Sequence, residues 1–562
     1  NIISDTSGPA NPVITINSGD TVSYSLTVNL NLSAVNATQM IISETGTFSD
    51  TDWQPYTTSC SFTFTPGNGL RYLYAKFKNA SDTESAITFD DIYLEVAGED
   101  SGPTYISDKI LLYDKTWTAK GSPYIITENY LIPSGVKLTI EPGAEIRFDT
   151  NVELVIDGAL WSVGIADSQI LFTANKTIKT KGHWKWIKYR NTAIAAQSKI
   201  SHSKIEYGTQ GLIFESVSVA VDNCQIDSHS QYGIYATNYS GSIDTSIIQF
   251  TTTNQGIYIN GGSPKIRNNI IKNNGSHGIY LYQCPNFVIL NDTIQNNANI
   301  GILIQSTQTG GLIENCFIEN NSSWGIQGSD VSYSNGPISI NIRNNIIKNN
   351  RYGIYLGAYN SSSYYTSGTI ENNIIENNNK NNDGMGIQIS RGNVIIRNNQ
   401  INSFKSYGIH TFSHTPIIEN NTIDTGTDFG IYINGSAGNI RQNTIQNCGT
   451  GLWNSGNSLV RQNTITNCTN AIFNNSTSTI FSFNNIYNVN NLLMTNQSTP
   501  NSSIVNAEYN YWGIADANVI RQKTTDYYDD PINYGKIDFS PFYANIISDT
   551  SGPANPVITI NS

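Results

Sequence analysis

The chain is short of charge. Of its 562 residues 13% are Asp, Glu, Lys or Arg, and 43 acidic against 31 basic side chains leave a net charge of -12. That balance argues against nucleic acid or an anionic membrane as partner, since both require a basic footprint. Long apolar runs are absent as well, and nothing approaches the roughly 18 residues of a membrane-spanning helix. No signal peptide precedes Asn1, so the sequence reads as a mature product or an excerpt. Cys224, Cys284 and Cys316 have no metal-ligand spacing. Of the six histidines, His183, His202, His229, His277, His410 and His414, none sits beside an Asp, and no nucleophile, base and orienter stand together. These absences lead to the expectation of no catalysis and no cofactor. The abundance of Asn, Ser, Thr, Tyr and Gly with three Met leans towards an extracellular or cell-surface protein. Sequons such as Asn36-Ala-Thr are numerous, as such a composition produces by chance.

What is present is a repeat. From Gly211 to Tyr487 a phrase returns: Gly-Ile-Tyr-Ile, a polar turn, Asn-Asn-x-Ile, another polar turn. Its glycines, from Gly211, Gly233 and Gly256 to Gly430 and Gly451, are spaced 21 to 33 residues apart. Each unit holds two short apolar alternations, such as Ile257-Tyr258-Ile259 and Ile266 to Ile271, with no helical periodicity. One unit cannot bury its isoleucines alone, but coils stacked at about 4.8 Å close a continuous interior and pair every strand. The predicted fold is all-β, a parallel β-solenoid. A leucine-rich repeat has an overlapping period, but isoleucine in place of leucine and paired asparagines (Asn268-Asn269, Asn344-Asn345, Asn372-Asn373, Asn398-Asn399, Asn420-Asn421) count against it.

The phrase resembles the parallel β-helix repeats of bacterial and archaeal surface and periplasmic proteins, including the NosD-like group. That resemblance implies a right-handed helix over residues 105–544, and the fold hosts lyases, epimerases, adhesins and inert stalks alike. Leu131 to Ala144 and Leu154 to Leu160 resemble the opening coils of such helices, and Glu508 to Gly513 with Gly535 to Phe542 resembles the closing segment. The Asp-Pro-His-Asp phrase of the epimerases is missing.

Residues 1–97 have another rhythm. Thr21 to Leu30 alternates, later runs do so less strictly, and the spacing suggests an immunoglobulin-like β-sandwich. Thr51 to Tyr56, Phe62-Thr63-Phe64 and Tyr72 to Asn79 resemble the Ig-like modules of secreted bacterial repeat proteins. Trp53 is expected as a core or edge anchor. Residues 98–104 read as a linker, where Glu99 and Asp100 leave calcium at the domain junction open. Residues 545–562 repeat residues 1–18 without a change. They mark either the next unit of a tandem array or a strand exchanged between subunits, with Ile14, Ile16, Ile558 and Ile560 at the junction.

In Gly-Ile-Tyr-Ile the isoleucines point inward. Tyr235, Tyr258, Tyr280, Tyr355, His410, Tyr432, Trp453 and Phe473 then fall on one outer strip, a stabilising stack or an interface for another chain or a sugar. Paired asparagines should form amide ladders. Arg267, Arg343, Arg397, Arg441 and Arg461 form a column that either binds a polyanion or pairs with Glu314, Glu371 and Glu419. Cys448 and Cys468 should stack as thiols or as a disulfide. The resulting expectation is a non-catalytic unit of an extracellular filament or surface layer that self-associates head to tail. The alternatives are a polysaccharide-binding or polysaccharide-degrading β-helix, or an adhesin with loops at the enlarged coils from Gly325 to Gly386.

Overall fold

In a computed structural model that describes residues 7–49, 51–65, 67–96, 102–306, 310–329, 338–357, 366–379, 381–500 and 504–548, strands make up nearly all of the regular structure. The chain divides into two units, residues 1–105 with 118–124, and 106–117 with residue 125 onward. Glu99 and Asp100, where calcium was left open, and Ile558 and Ile560 lie outside the described residues.

The first unit is a pair of sheets around one core. Strands β1 (Ala10–Ile16), β3 (Thr27–Val35) and β6 (Ser59–Thr63) form one sheet in the order β1-β3-β6. Strands β2 (Val22–Ser23), β4 (Gln39–Ser43), β5 (Gln54–Pro55), β7 (Gly69–Lys78) and β8 (Thr88–Leu94) form the other in the order β2-β8-β7-β4-β5. Alternation decides what is inside: Val28, Leu30 and Leu32 from β3 meet Leu73, Ala75 and Phe77 from β7. The alternating run from Thr21 does not continue as one strand to Leu30. Ser23 Oγ accepts the Ser25 amide at 3.2 Å and Ser25 Oγ accepts that of Thr27 at 3.1 Å, so serine side chains take bonds a ladder would need and the chain turns. Ile14 and Ile16 are buried in this core, with β1 in antiparallel register against β3. Trp53 lies under the Lys78 ammonium at 4.8 Å.

The second unit is a solenoid of three parallel sheets, the first of which has eighteen strands from Lys115–Trp117 to Lys536–Asp538. A representative coil consists of Lys265–Arg267, Ile270–Lys272 and Ile279–Tyr282, and each pairs in register with the matching strand of the next coil. Stacked isoleucines such as Ile266, Ile289 and Ile313, or Ile271, Ile294 and Ile318, are fully buried. The glycine of the phrase is required by crowding. A Cβ on Gly353 would stand 2.2 Å from the Gly386 carbonyl oxygen of the next coil and 2.8 Å from Ile375 Cγ2. The opening coils form as the sequence implies. The closing segment adds a helix, Ala517–Gln522, whose Asp516 side chain accepts the Asn518 amide at 2.8 Å. Asp526, Asp529 and Asp530 hold turns there.

Candidate functional site

The two residues of each Asn pair have separate duties. Between the first and second strands of a coil the chain turns in two residues, and the first of them adopts a left-handed backbone, as at Asn268 (φ 58°), Asn344 (φ 57°) and Asn420 (φ 57°). Asparagine tolerates that region better than most residues. The second points inward and makes the ladder. Asn345, Asn373, Asn399, Asn421, Asn443, Asn463 and Asn484 each pass an Nδ2 bond of 2.9–3.0 Å to the next Oδ1, and the last of these bonds is accepted by Asn510, whose own Nδ2 ends on backbone carbonyls. A second ladder of Asn274, Asn297, Asn321, Asn350 and Asn378 fills the following turn. These ladders satisfy buried turn amides and hold each coil over the next. They fix the outward columns in register, and the candidate site is such a column.

On the third sheet the register stacks Tyr235 on Tyr258 and Tyr258 on Tyr280, with ring centroids 5.3 and 5.0 Å apart. The column continues through Leu303, Gln327, Tyr355 and Gln388 to His410, Tyr432, Trp453 and Phe473. Tyr432 and Trp453 lie face to face, centroids 4.1 Å apart and planes at 4°, and Trp453 stacks on Phe473 at 5.8 Å and 7°. The expected strip is therefore formed in two runs, Tyr235 to Tyr280 and His410 to Phe473, with Tyr355 alone between them, and its rings are half-buried by one another except that of His410, which is buried.

A second aromatic column, missed in the sequence reading, stands beside it. At the position immediately before the phrase glycine, Tyr232, His277, Trp324, Tyr352, Tyr407 and Phe429 also face outward, whereas Ile300 is buried. Trp324 packs on Tyr352 at 4.6 Å and on Tyr355 at 5.5 Å, and Tyr407 lies 5.7 Å from Phe429 and 5.0 Å from Tyr432. The two columns together make a platform two rings wide. Between its halves, Met385 and Gln388 replace the rings, and at that gap stands a carboxylate. Asp383 accepts bonds from Arg351 Nε at 3.0 Å and from the Tyr352 hydroxyl at 2.7 Å, and the guanidinium holds its carboxyl below the usual range. Tyr407, directly below Met385 in register, begins the lower half. His410 is 5% exposed beneath Tyr407, Phe412 and Tyr432, and neither ring nitrogen has a hydrogen-bond partner. Burial pushes its imidazole down to about 4, so the ring is neutral at pH 7. Burial likewise pushes the Tyr258 phenol up to about 12. The platform is thus uncharged, with one ionised carboxylate at its interruption.

Four of the five arginines of the column are neutralised. Arg343 pairs with Glu314 at 2.8 Å, Arg397 with Glu371 at 2.7 Å and Arg441 with Glu419 at 2.5 Å, and Arg267 pairs with Asp244 at 2.9 Å. Of the two readings left open, pairing is the one observed for these four, whereas Arg461 has no ion pair among the described residues. Cys448 and Cys468 occupy matching turns of adjacent coils as buried free thiols, and the hydrogen bond between them, with burial, holds the Cys448 thiol well above its ordinary range.

The profile of the right-handed β-helix region matches residues 210–368 and 359–492, just over half of the chain. The chain belongs to the right-handed β-helix family. The match specifies neither a NosD-like group nor an Ig-like module. A search of curated proteins finds no match. Among solved structures, the mannuronan C-5 epimerase A-module of Azotobacter vinelandii is 14% identical, with 60% of this chain and 87% of that one covered, at a TM-score of 0.36. An alginate lyase from a Paenibacillus species is 14% identical over 53% and 94%, at 0.25. The catalytic domain of a GH87 α-1,3-glucanase is 11% identical over 86% and 87%, at 0.30. At such identities the likeness is one of fold. It nonetheless corrects the expectation that this chain has no catalysis: chains matched to it include an epimerase, a lyase and a glucanase, so the lack of one epimerase phrase is no ground for exclusion.

Proposed function

We propose that the protein acts on polysaccharide, with the two-column aromatic platform of the third sheet as the surface on which an extended glycan lies. The observation that carries this reading is the platform itself: uncharged rings held in register over successive coils, with one break at Ile300 and Leu303 and another, at Met385 and Gln388, beside Asp383. Sugar rings present apolar C–H faces to aromatic rings and hydroxyls to polar neighbours, and this surface supplies both. The glycan is neutral, since an acidic chain in which four of the five column arginines are already paired with carboxylates offers a polyuronate little compensation for repulsion. Asp383, ionised and fixed by Arg351 and Tyr352, is placed for base or charge-stabilising work on a sugar crossing the gap. An extracellular or cell-surface location belongs to the same proposal, because that is where such polymers are met.

The test is affinity electrophoresis in gels containing a soluble β-glucan, xylan or mannan, with alginate as the charged control, followed by reducing-end and unsaturated-product assays. Retardation by a neutral polymer, weakened about 30-fold in Trp453→Ala as for the loss of an aromatic anchor of about 2 kcal/mol, is expected. Wild-type mobility in every neutral polymer overturns the reading. A product formed by the wild type and lost in Asp383→Asn, with binding intact, would assign Asp383 to the chemistry.

A further inference from the structure

The first unit has an aromatic surface of its own. On its five-stranded sheet, alternation along β7 sends Leu73, Ala75 and Phe77 into the core and leaves Tyr72 and Tyr74 on the other face. Along β8, Ile92 and Leu94 are fully buried, whereas Phe89 and Asp91 face out. The antiparallel register sets Tyr74 opposite Phe89 and Tyr72 opposite Asp91. The three rings form one cluster, with centroids 5.7 Å apart for Tyr74 and Phe89, 6.3 Å for Tyr72 and Phe89, and 6.4 Å for Tyr72 and Tyr74. Phe89 is 60% exposed and Tyr72 40%. Leaving such rings in water forgoes burial that a polar residue at the same position would not miss, so their presence asks for a ligand.

We propose that this face is a second glycan-binding surface, taking the same neutral polysaccharide as the solenoid. The inference rests on the function proposed above. Three features of the face favour a sugar over a protein. A stable protein interface needs roughly 20 to 30 residues a side, whereas this cluster consists of three rings and the side chains at its edge. The rings form a shallow array rather than a pocket for an anchoring side chain, with Tyr72 and Tyr74 within 29° of parallel and Phe89 tilted against both. The edge is polar: the exposed Asp91 carboxylate can accept sugar hydroxyls beside Tyr72, and Lys76 is held by Glu84 at 2.7 Å. A surface of this kind on a separate unit raises retention on a polymer by supplying a second point of attachment.

The experiment compares three full-length chains in gels containing the neutral polysaccharide that retards the wild type: wild type, Tyr72→Ala/Phe89→Ala and Tyr432→Ala/Trp453→Ala. Phe89→Tyr, which keeps the ring, controls for folding. The sandwich variant is expected to lose about tenfold in retention while a short oligosaccharide still quenches the solenoid's tryptophan fluorescence with wild-type affinity, and Phe89→Tyr is expected to retain wild-type behaviour. Unchanged retention in Tyr72→Ala/Phe89→Ala overturns this inference and leaves the solenoid reading standing. Loss in the sandwich variant with none in Tyr432→Ala/Trp453→Ala supports this surface and overturns the platform. A wild type that no polymer retards overturns both.

Discussion

Asp292 replaces asparagine in the first ladder, and its replacement by Asn should stabilise the protein in a pH-dependent way. The Asn269 backbone amide and Nδ2 both donate to Asp292 Oδ1, at 2.6 and 2.9 Å, as they would to an asparagine. Oδ2 stands where an asparagine would carry its NH2. It is buried and has no hydrogen-bond partner, and Cys316 occupies the next ladder position. Burial, with the Asp244 carboxylate adding repulsion, pushes the Asp292 carboxyl up to about 7. In the unfolded chain it titrates near 3.9. A folded-state pKa raised above the unfolded one means that stability is full below about pH 4 and falls as pH rises to about 7. A difference of about 3 units at 1.36 kcal/mol each sets the loss at about 4 kcal/mol above pH 7. Asp292→Asn removes the titration and supplies the missing donor to the Ile266 carbonyl. Guanidinium unfolding of both proteins at pH 4, 6 and 8 should give nearly equal midpoints at pH 4 and an advantage for the variant that grows between pH 4 and about 7 and is complete at pH 8. Equal midpoints at pH 8, or a variant less stable there than the wild type, would refute the reasoning.

Further perturbations test the same framework. Asn421→Ala in the middle of the ladder takes the acceptor from the Asn399 backbone amide, one of three acceptors from Asn399 Nδ2 and the Nδ2 donor from the Ile396 carbonyl, and should cost about 3–4 kcal/mol in a guanidinium titration. Gly353→Ala drives a Cβ into the Gly386 carbonyl and should lower stability by about 1–3 kcal/mol, whereas Gly438→Ala, whose Cβ meets nothing nearer than 3.5 Å, should be nearly neutral in the same titration. Glu419→Gln breaks a pair whose Arg441 is one-third exposed, and should change stability by less than about 1 kcal/mol. A thiol reagent should modify Cys60 in the native protein and all six cysteines only after denaturation, since the other five are buried.

The period was legible because crowding at the glycine and burial of the isoleucines leave those positions no latitude, and both repeat with every coil. The aromatic strip was legible for the same reason, since alternation alone sends Tyr258 and Trp453 outward. Its neighbour was overlooked because the residue before each glycine varies between Tyr, Gln, His, Ile, Trp, Met, Phe and Thr, so that Trp324 and Tyr407 look like loop residues until register aligns them. Asp383 was hidden for another reason: it lies in an enlarged coil whose length differs from its neighbours', and only folding brings it to Arg351, 32 residues earlier. The pairing of Arg397 with Glu371 followed from like positions in alternate coils, but that of Arg267 with Asp244 did not, because Asp244 lies in a coil without an Asn pair. In the first unit, alternation located the core but not the break at Tyr24, where serine hydroxyls outcompete the ladder.

The measurement that bears most directly on the central claim is oxidative footprinting of the aromatic side chains with and without a neutral oligosaccharide. Protection of Trp453, Tyr432, Tyr407 and Trp324, with Tyr24 of the sandwich unchanged as an internal reference, is the predicted result. An oligosaccharide that binds while leaving the rings of both columns as reactive as before would contradict the account.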